Sequence, residues 1–401
     1  MSHDYDVILV GGSMVGAATA CALAQLDLRV ALIDDHPGQY RPLTAWEARV
    51  VALTRASEQF LQQLGVWPGV VAQRLCAYQR MHVWDARSHG ELTFDCAEIN
   101  APNLGHIVEN QAIINSLYQR IQSLPQIHLL TGQKLQWVGR DAKGVRAGLS
   151  QQQLTARLII GADGGHSLVR QAFGFSCAER SYQQHALVGV IKTTQPHQYT
   201  AWQRFTPQGP LAFLPLADQQ HCAIVWSAPP AHVEWLYTLA EADFNQHLGE
   251  AFGFKLGETR LVGARYQFPL TMRHARDYVQ PGVALVGDAA HTIHPLAGQG
   301  ANLGFLDAWA LSQQIAQAIH KSRPWWRTEV LRAYQRQRKG HNQRMLLAMD
   351  GFKLAFADHM GPVPFMRGLA MQGIDRLLPL KQQLIHHAMG TSMGHDNLYF
   401  K

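Results

Sequence analysis

Residues 7–10 are a continuous apolar run (VILV) that stops at Gly11-Gly12 and resumes as a small-residue apolar stretch to Leu26. A short apolar run broken by glycine is the pattern of a buried strand turning into a helix. The spacing predicts a strand at Tyr5–Val10, a helix at Met14–Leu26 and a strand at Arg29–Ile33, a βαβ opening. Farther on, VVALTRASEQFLQQLG at 49–64 reads as helical, with Ala56, Phe60 and Leu64 on one stripe. Residues 77–100 alternate strand and turn, and Ile107–Ile121 returns to helix. LTARLIIGADG at 154–164 closes a strand pair. From about 181 to 268 come the β-like runs ALVGVIKTT, AWQRF, LAFLPL and HCAIVWSA, with one helix around Glu241–Phe252. GVALVGDAAH is then a buried strand ending in Gly-Asp, followed by a helix from about Gly300 to Ile319 and three more helical stretches. The fold class is α/β: a Rossmann-like nucleotide-binding domain interrupted by a β-sheet-rich one, with a helical C-terminal end.

Composition narrows the chemistry. The five cysteines are scattered and form no C-x-x-C pair, which excludes a disulfide framework or a structural zinc site and fits a reducing compartment. Among 21 histidines the only tight group is His386-His387, and neighbours on a helix point apart, so no metal is expected. Val7–Leu26 holds no charge and has the length of a membrane span. Its leader, SHDYD, lacks the basic residues of a signal peptide, and glycines break its middle, so it is read as neither span nor signal. Charge is uneven: residues 321–390 carry twelve Lys/Arg against four Asp/Glu, whereas the first 320 residues are close to neutral. Such an end suits an anionic membrane surface, an acidic partner or simply a solvated helical face. Nucleic acid is excluded, because these basic residues lack the context of a known nucleic-acid motif. The polar tail GTSMGHDNLYFK is given no function.

Three glycine-bearing sites carry the chemistry. In the first, Gly11, Gly12, Ser13 and Gly16 stand where G-x-G-x-x-G would bind a pyrophosphate on helix amides, with Ser13 at the second glycine. A left-handed backbone at Ser13 would cost about 1–2 kcal/mol; any other conformation leaves room for its small side chain. Asp34 ends the next strand, where a carboxylate grips ribose hydroxyls. In the second site Asp163-Gly164 ends an apolar strand, and Ser167 and Arg170 follow on one helical face. The third is VGDAAHTIHPLAGQGANLG at 286–304, where Asp288 stops a strand and Pro295, Gly298 and Gly300 leave bare backbone at a helix start.

Taken together, these residues resemble the three fingerprints of the single-component FAD-dependent aromatic hydroxylases, in order and spacing over nearly the whole chain. LGHIVEN, YQQHALV, LAFLPL and the 287–304 stretch are similar to the ubiquinone-biosynthesis hydroxylases, nearest their 2-polyprenylphenol branch, while AWQRFTPQGP leans to the sister branch acting on a methoxy-benzoquinol. The resemblance implies that Gly11, Gly12, Ser13, Gly16 and Asp34 hold the ADP half of a bound FAD, that Arg49 reaches the flavin side, and that Asn110 lies near the pyrophosphate and ribityl chain. Asp163 falls in a motif tied to FAD and NAD(P)H. Gly287 and Asp288 would take the ribityl, and Pro295, Gly298, Gln299, Gly300, Ala301 and Asn302 would line the isoalloxazine. The implied domains are FAD-binding at 1–75, 103–180 and 269–349, substrate-binding at 76–102 and 181–268, and C-terminal helices and tail at 350–401.

The implied reaction is hydroxylation of a prenylated aromatic ring with O2 and transient NAD(P)H, through a C4a-hydroperoxyflavin. The residues name no catalytic base; His291 and His294 lie near the flavin by motif. Trp202, Phe205, Phe213, Leu214 and Trp226 are candidate pocket lining, with core packing the alternative for each. The expected location is cytoplasmic, with peripheral contact of residues 350–390 to an inner membrane or to a ubiquinone-biosynthesis complex; homo-oligomerisation stays open. The alternatives are the methoxy-benzoquinol step, a secondary-metabolism aromatic hydroxylase, and a non-catalytic scaffold.

Overall fold

The computed structural model describes residues 3–36, 40–88, 90–292, 299–355, 373, 375 and 377–390. One six-stranded sheet organises the nucleotide-binding part. Its strands are β1 (Val7–Val10), β2 (Val30–Asp34), β8 (Ile127–Thr131), β12 (Leu158–Gly161), β18 (Val279–Gln280) and β19 (Val283–Leu285), in the order β18-β19-β12-β1-β2-β8. Neighbours from β19 to β8 run parallel, so every crossover leaves strand C-termini at one end. The side chains of β1, β2, β12 and β19 are buried on both faces, which is why these strands read as apolar runs, whereas the edge strand β8 is only partly covered. Helices α1 (Met14–Ala24), α4 (Asn110–Gln122), α5 (Leu168–Ala172), α8 (Gln299–His320) and α9 (Thr328–Ala355) belong to this part, and α1, α4 and α8 share its principal core.

An eight-stranded sheet forms the second layer. It comprises β5 (Arg80–Asp85), β6 (Glu91–Asp95), β13 (Cys177–Thr193), β14 (Thr200–Thr206), β15 (Gly209–Pro215), β16 (His221–Ala228), β17 (Thr259–Ala275) and β20 (His291–Thr292), ordered β20-β17-β13-β16-β15-β14-β5-β6. Its outer face packs on α6 (Pro230–Thr238) and α7 (Glu241–Phe252), where Phe213 stacks on Phe252 with ring centroids 3.5 Å apart. Its inner face packs Val188, Val190, Leu214 and Ala223 against Ala48, Ala52 and Ile107 of the nucleotide-binding part. Two three-stranded sheets complete the fold: β3 (Val50–Thr54), β4 (Leu75–Tyr78) and β7 (Gly105–Glu109); and β9 (Trp137–Asp141), β10 (Gly144–Gly148) and β11 (Gln153–Ala156). Helices α2 (Arg55–Gln63) and α3 (Trp67–Val71) lie between β3 and β4.

The last described helix, α10 (Leu378–Ala388), folds back onto the sheets. Ile385 and Met389 are buried against Cys96 and Leu104, and the Met389 carbonyl accepts the Ala56 amide at 3.3 Å. Lys381 is buried beside Glu98 at 2.6 Å and Asp375 at 3.0 Å, whereas Leu377, Leu378 and Leu384 face outward. No helix among the described residues is long and apolar enough to cross a membrane.

Two helical expectations are corrected. Residues 50–54 are a strand, and the helix starts only at Arg55, capped by the Thr54 hydroxyl. Residues 105–109 are likewise a strand, with α4 starting at Asn110. The two segments pair antiparallel, Val50 opposite Glu109 and Thr54 opposite Gly105. A four- or five-residue apolar run has no period of its own, so its distant partner decides its conformation. Helix α6 was not anticipated at all.

Candidate cofactor and substrate site

Gly11 ends β1 at φ +102°, and a Cβ there would stand 2.4 Å from the Ala162 carbonyl oxygen. Gly12 donates its amide to Asp34 Oδ2 at 2.6 Å and accepts the Tyr118 hydroxyl on its carbonyl at 3.0 Å. Burial pushes the Tyr118 hydroxyl well up, so it stays a donor. Gly16 is required by contact: a Cβ would lie 1.8 Å from the Gly11 carbonyl oxygen, across the turn that lets α1 approach β1. Ser13 has φ −71° and ψ −175°, an ordinary extended residue, and its side chain is exposed. The feared left-handed strain is absent. No side chain caps α1 and no acid stands in its first turn. Its N-terminal amides therefore point at the turn with their partial charge uncompensated, the condition under which a helix start binds an anion.

The other two motifs close on this one. Ala162 donates its amide to the Val10 carbonyl at 2.8 Å, which places Asp163 beside Gly11. Asp163 Oδ2 accepts the Leu168 and Val169 amides at 2.7 and 3.3 Å, so this carboxylate caps α5. Its Oδ1 is buried with no hydrogen-bond partner, and burial raises the carboxyl above its ordinary value. Arg170 is the clasp between second and third motifs, donating to the Gly165 carbonyl at 2.5 Å and to the Ala289 carbonyl at 2.9 Å. Gly287, at φ +59°, and Gly304 both lean on Val15 of α1; a Cβ on Gly304 would be 2.4 Å from that side chain. Segments around residues 12, 163 and 288 thus meet at one end of the six-stranded sheet.

Of the predicted third-motif residues, Gly287, Asp288, Gln299, Gly300, Ala301 and Asn302 are described, whereas Pro295 and Gly298 fall outside the described residues, as does His294. Asp288 has an exposed side chain. Gly300 and Ala301 open α8, whose first turn carries no acid, and the space around Gly300 is clear. Asn302 does something else: its amide is buried and stitches α8 to β3, accepting the Thr54 amide at 3.0 Å and donating to the Ala52 carbonyl at 2.8 Å. His291 is buried against Asp307, with Nε2 2.5 Å from Oδ2.

Arg49 and Asn110 come together across β3 and β7, the Asn110 amide donating to the Arg49 carbonyl at 3.0 Å. The Asn110 side-chain oxygen is buried without a partner, and the Arg49 guanidinium is exposed, 6.0 Å from the Phe268 ring centre. Behind them lies an unforeseen brace. Glu109, 2% exposed, pairs with Arg74 at 2.9 Å and accepts the Glu47 amide at 2.7 Å, fixing the segment that carries Arg49. Burial pushes the Glu109 carboxyl up against the pull of that amide and of Arg74.

Alternation along the strands sorts the expected pocket lining. Trp202, Phe213 and Trp226 project from the outer face into the core shared with α6 and α7, so they do not line a site between the two parts. Phe205 and Leu214 project inward. The inner face also bears Ala212, Val225, Val262 and Phe268, apolar yet only partly covered. These side chains share one apolar face, with the Arg49 guanidinium over its Phe268. Glu109, Arg74, Tyr118 and Asp307 escaped the sequence reading. Tyr118 lies two helical turns from Asn110, and Asp307 is a lone acid in an apolar helix, and both signals were present.

Such a cradle fits a flavin dinucleotide: unneutralised amides at the start of α1, an acid-free first turn in α8, a ribose-type carboxylate and buried oxygens on Asn110 and Asp163 lacking partners. Residues 4–348 match the profile of the FAD binding domain family. The chain is 37% identical to the 3-demethoxyubiquinol 3-hydroxylase of Escherichia coli strain K12 over 96% of this chain and 98% of that protein. It is 34% identical to the ubiquinone hydroxylase UbiL of Rhodospirillum rubrum, covering 96% and 90%. It is 30% identical to the human mitochondrial ubiquinone biosynthesis monooxygenase COQ6, covering 96% and 92%. Among solved structures, p-nitrophenol 4-monooxygenase from Pseudomonas putida superposes with a TM-score of 0.79 at 18% identity, over 97% of this chain and 99% of that one.

Proposed function

The chain belongs to the FAD binding domain family, and from that premise we propose that it hydroxylates the ring of a polyprenylated phenol in ubiquinone biosynthesis, using NAD(P)H and O2. It is an FAD-dependent monooxygenase, with ubiquinone-biosynthesis hydroxylases among its relatives. The observation that carries the substrate reading is the juxtaposition of the three-motif cradle with the apolar inner face of the eight-stranded sheet.

In this reading the α1 amides and Gly11, Gly12 and Ser13 hold the pyrophosphate, and Asp34 the adenosine ribose. Asn110 and Asp288 take ribityl and phosphate-side hydroxyls. Gly300 and Ala301 present amides to the flavin, with Gln299 beside them; Pro295 and Gly298, expected to share this lining, lie outside the described residues. Bound FAD supplies two-electron reduction by NAD(P)H and activation of O2. The protein's own work is to exclude water with the apolar wall of Ala212, Leu214, Val225 and Phe268 and to keep the ring fixed beside it. No side chain is assigned as base, and the buried His291 is given none. The domains follow: 1–75, 103–180 and 269–349 for FAD; 76–102 and 181–268 for substrate.

The name of the 37%-identical relative favours a second reading, in which the ring is the methoxy-benzoquinol of the same pathway. Mass spectrometry of the quinone precursor that accumulates in a deletion strain separates the two. A prenylphenol supports the first, a demethoxy-quinol the second, and normal quinone sinks both. In vitro, prenylphenol should raise NAD(P)H oxidation by the yellow protein; a colourless protein after incubation with excess FAD would end the cofactor assignment.

Membrane contact is part of the proposal. Outward-facing Leu377, Leu378 and Leu384 lie in the basic C-terminal region and offer an apolar edge for an anionic lipid surface. L378Q/L384Q should lower co-sedimentation with anionic liposomes without loss of flavin. Unchanged sedimentation removes this element.

A further inference from the structure

The residues on either side of Asp288 are attached to one carboxylate. Asp307 of α8 is fully buried, and its Oδ2 accepts both the Gly287 amide at 3.1 Å and His291 Nε2 at 2.5 Å. Its Oδ1 accepts Arg338 Nε at 2.8 Å and Asn342 Nδ2 at 3.3 Å, both from α9. Burial alone would drive this carboxyl up, but His291 and Arg338 outweigh it and hold it at about 2. An ionised carboxylate only accepts, so His291 carries its hydrogen on Nε2. Arg338 is buried as well and spends further donors on Asn342 Oδ1 at 2.8 Å. Asn342 also reaches the Tyr278 hydroxyl at 3.3 Å, which meets His274 at 3.0 Å.

The rest of the strap is fastened too. The Ala289 carbonyl takes Arg170, and the Ala290 carbonyl takes the Ala275 amide at 2.8 Å. Gly287 turns with the left-handed φ of +59°. Only Asp288 turns its side chain outward. A five-residue strap tied at four residues leaves its remaining side chain little freedom, and a buried ion pair is a costly way to tie it unless orientation matters.

We propose that Asp307, anchored by Arg338, is the positioning residue of the flavin site: it holds Gly287 and His291 so that the Asp288 carboxylate meets the ribityl hydroxyls without reorganising. This rests on the assignment of Asp288 to FAD. The role is indirect, because Asp307 is sealed from the site and acts through the strap.

A double-mutant cycle on FAD affinity tests it, using apoprotein made from the flavin-loaded full chain and flavin fluorescence quenching as the readout. D307N keeps the side-chain size but cannot stay a four-fold acceptor, and should weaken FAD about tenfold to a hundredfold. In a D288A background the same change should weaken it less than about threefold, because nothing is left to position. Equal losses in both backgrounds would show general damage and overturn the proposal. D288A that binds FAD like the parent would instead overturn the Asp288 assignment, and this inference with it. Should D307N not fold, H291A decides: it leaves the Asp307–Arg338 pair whole and frees one end of the strap. It should lose FAD affinity only when Asp288 is present, and loss independent of Asp288 refutes the idea.

Discussion

Gly16→Ala isolates the contact on which the cofactor cradle is built. The added Cβ would sit 1.8 Å from the Gly11 carbonyl oxygen and 2.9 Å from its carbonyl carbon, with Leu9 Cδ2 at 3.2 Å. Both nearest atoms are backbone, so no side chain can swing aside. Reaching even 3.0 Å requires a shift of about 1.2 Å between α1 and the end of β1. Overpacking of this kind costs about 1–3 kcal/mol, and a backbone obstacle belongs at the upper end. The movement falls on the amides proposed to hold the pyrophosphate, where about 3 kcal/mol corresponds to roughly a hundredfold in affinity. Ser13→Gly is the matched control. Ser13 already has an extended backbone and an exposed side chain, so restoring the familiar glycine relieves no strain. The assay is FAD titration by fluorescence quenching, with thermal melts of the apoproteins alongside. G16A should bind about a hundredfold more weakly and melt several degrees lower, while S13G stays near the parent. A G16A protein with parental affinity would refute the close-approach reasoning, and a large gain in S13G would show that serine was strained after all.

The two faces of the large sheet should separate in mutants: F213A, removing a buried ring stacked on Phe252, should cost about 3–5 kcal/mol in denaturant melts and leave KM for the aromatic substrate unchanged. V225F, on the inner face, should raise that KM about tenfold with FAD affinity intact; a KM unmoved by V225F counts against the apolar wall. The histidine contribution to stability should also depend on pH in a defined direction. Burial holds His82, His197, His232 and His274 below the usual histidine value, His274 at about 4. Between that value and the unfolded one, near 6.5, these histidines bind more protons in the unfolded chain, so their contribution to stability should fall as pH drops from about 6.5 to 4, while the raised Asp163 and Glu109 carboxyls act in the opposite direction. Asp307, depressed to about 2, adds a further loss only below about pH 4. Chemical melts of the parent and His274→Asn apoproteins across pH 7 to 4 check the first part: the difference between them should grow in favour of the variant as pH falls, and a difference that does not change with pH contradicts it. Finally, E109Q should loosen the segment carrying Arg49 by stripping Arg74 of its ion pair, costing about 3 kcal/mol in stability. A melting point equal to the parent would show that the brace carries no weight.

The local signals were strong where geometry leaves little choice. VILV before Gly-Gly, and GVAL before VGDA, read as buried strands, and Val7–Val10 and Val283–Leu285 are buried strands of the parallel sheet. Gly16 and Gly287 were legible because only glycine tolerates the contact or the φ that those turns need. Errors arose where a short apolar run had no period of its own: residues 50–54 and 105–109 became strands because each found the other. The same limit applied to the aromatic lining, because period-two alternation says which residues share a face but not which face meets the cofactor.

By itself, then, the sequence determined the fold class, the three cradle segments and the family, since each depends on residue type and spacing within a few turns of chain. Tertiary structure decided the rest: that Asn302 stitches α8 to β3, that Phe213 turns to the helices while Leu214 turns to the inner face, and that Asp307 ties down both flanks of Asp288. These are contacts between residues from 16 to about 250 positions apart, where a buried charge or amide must find every partner inside the fold and the one-dimensional pattern does not record which partner it finds.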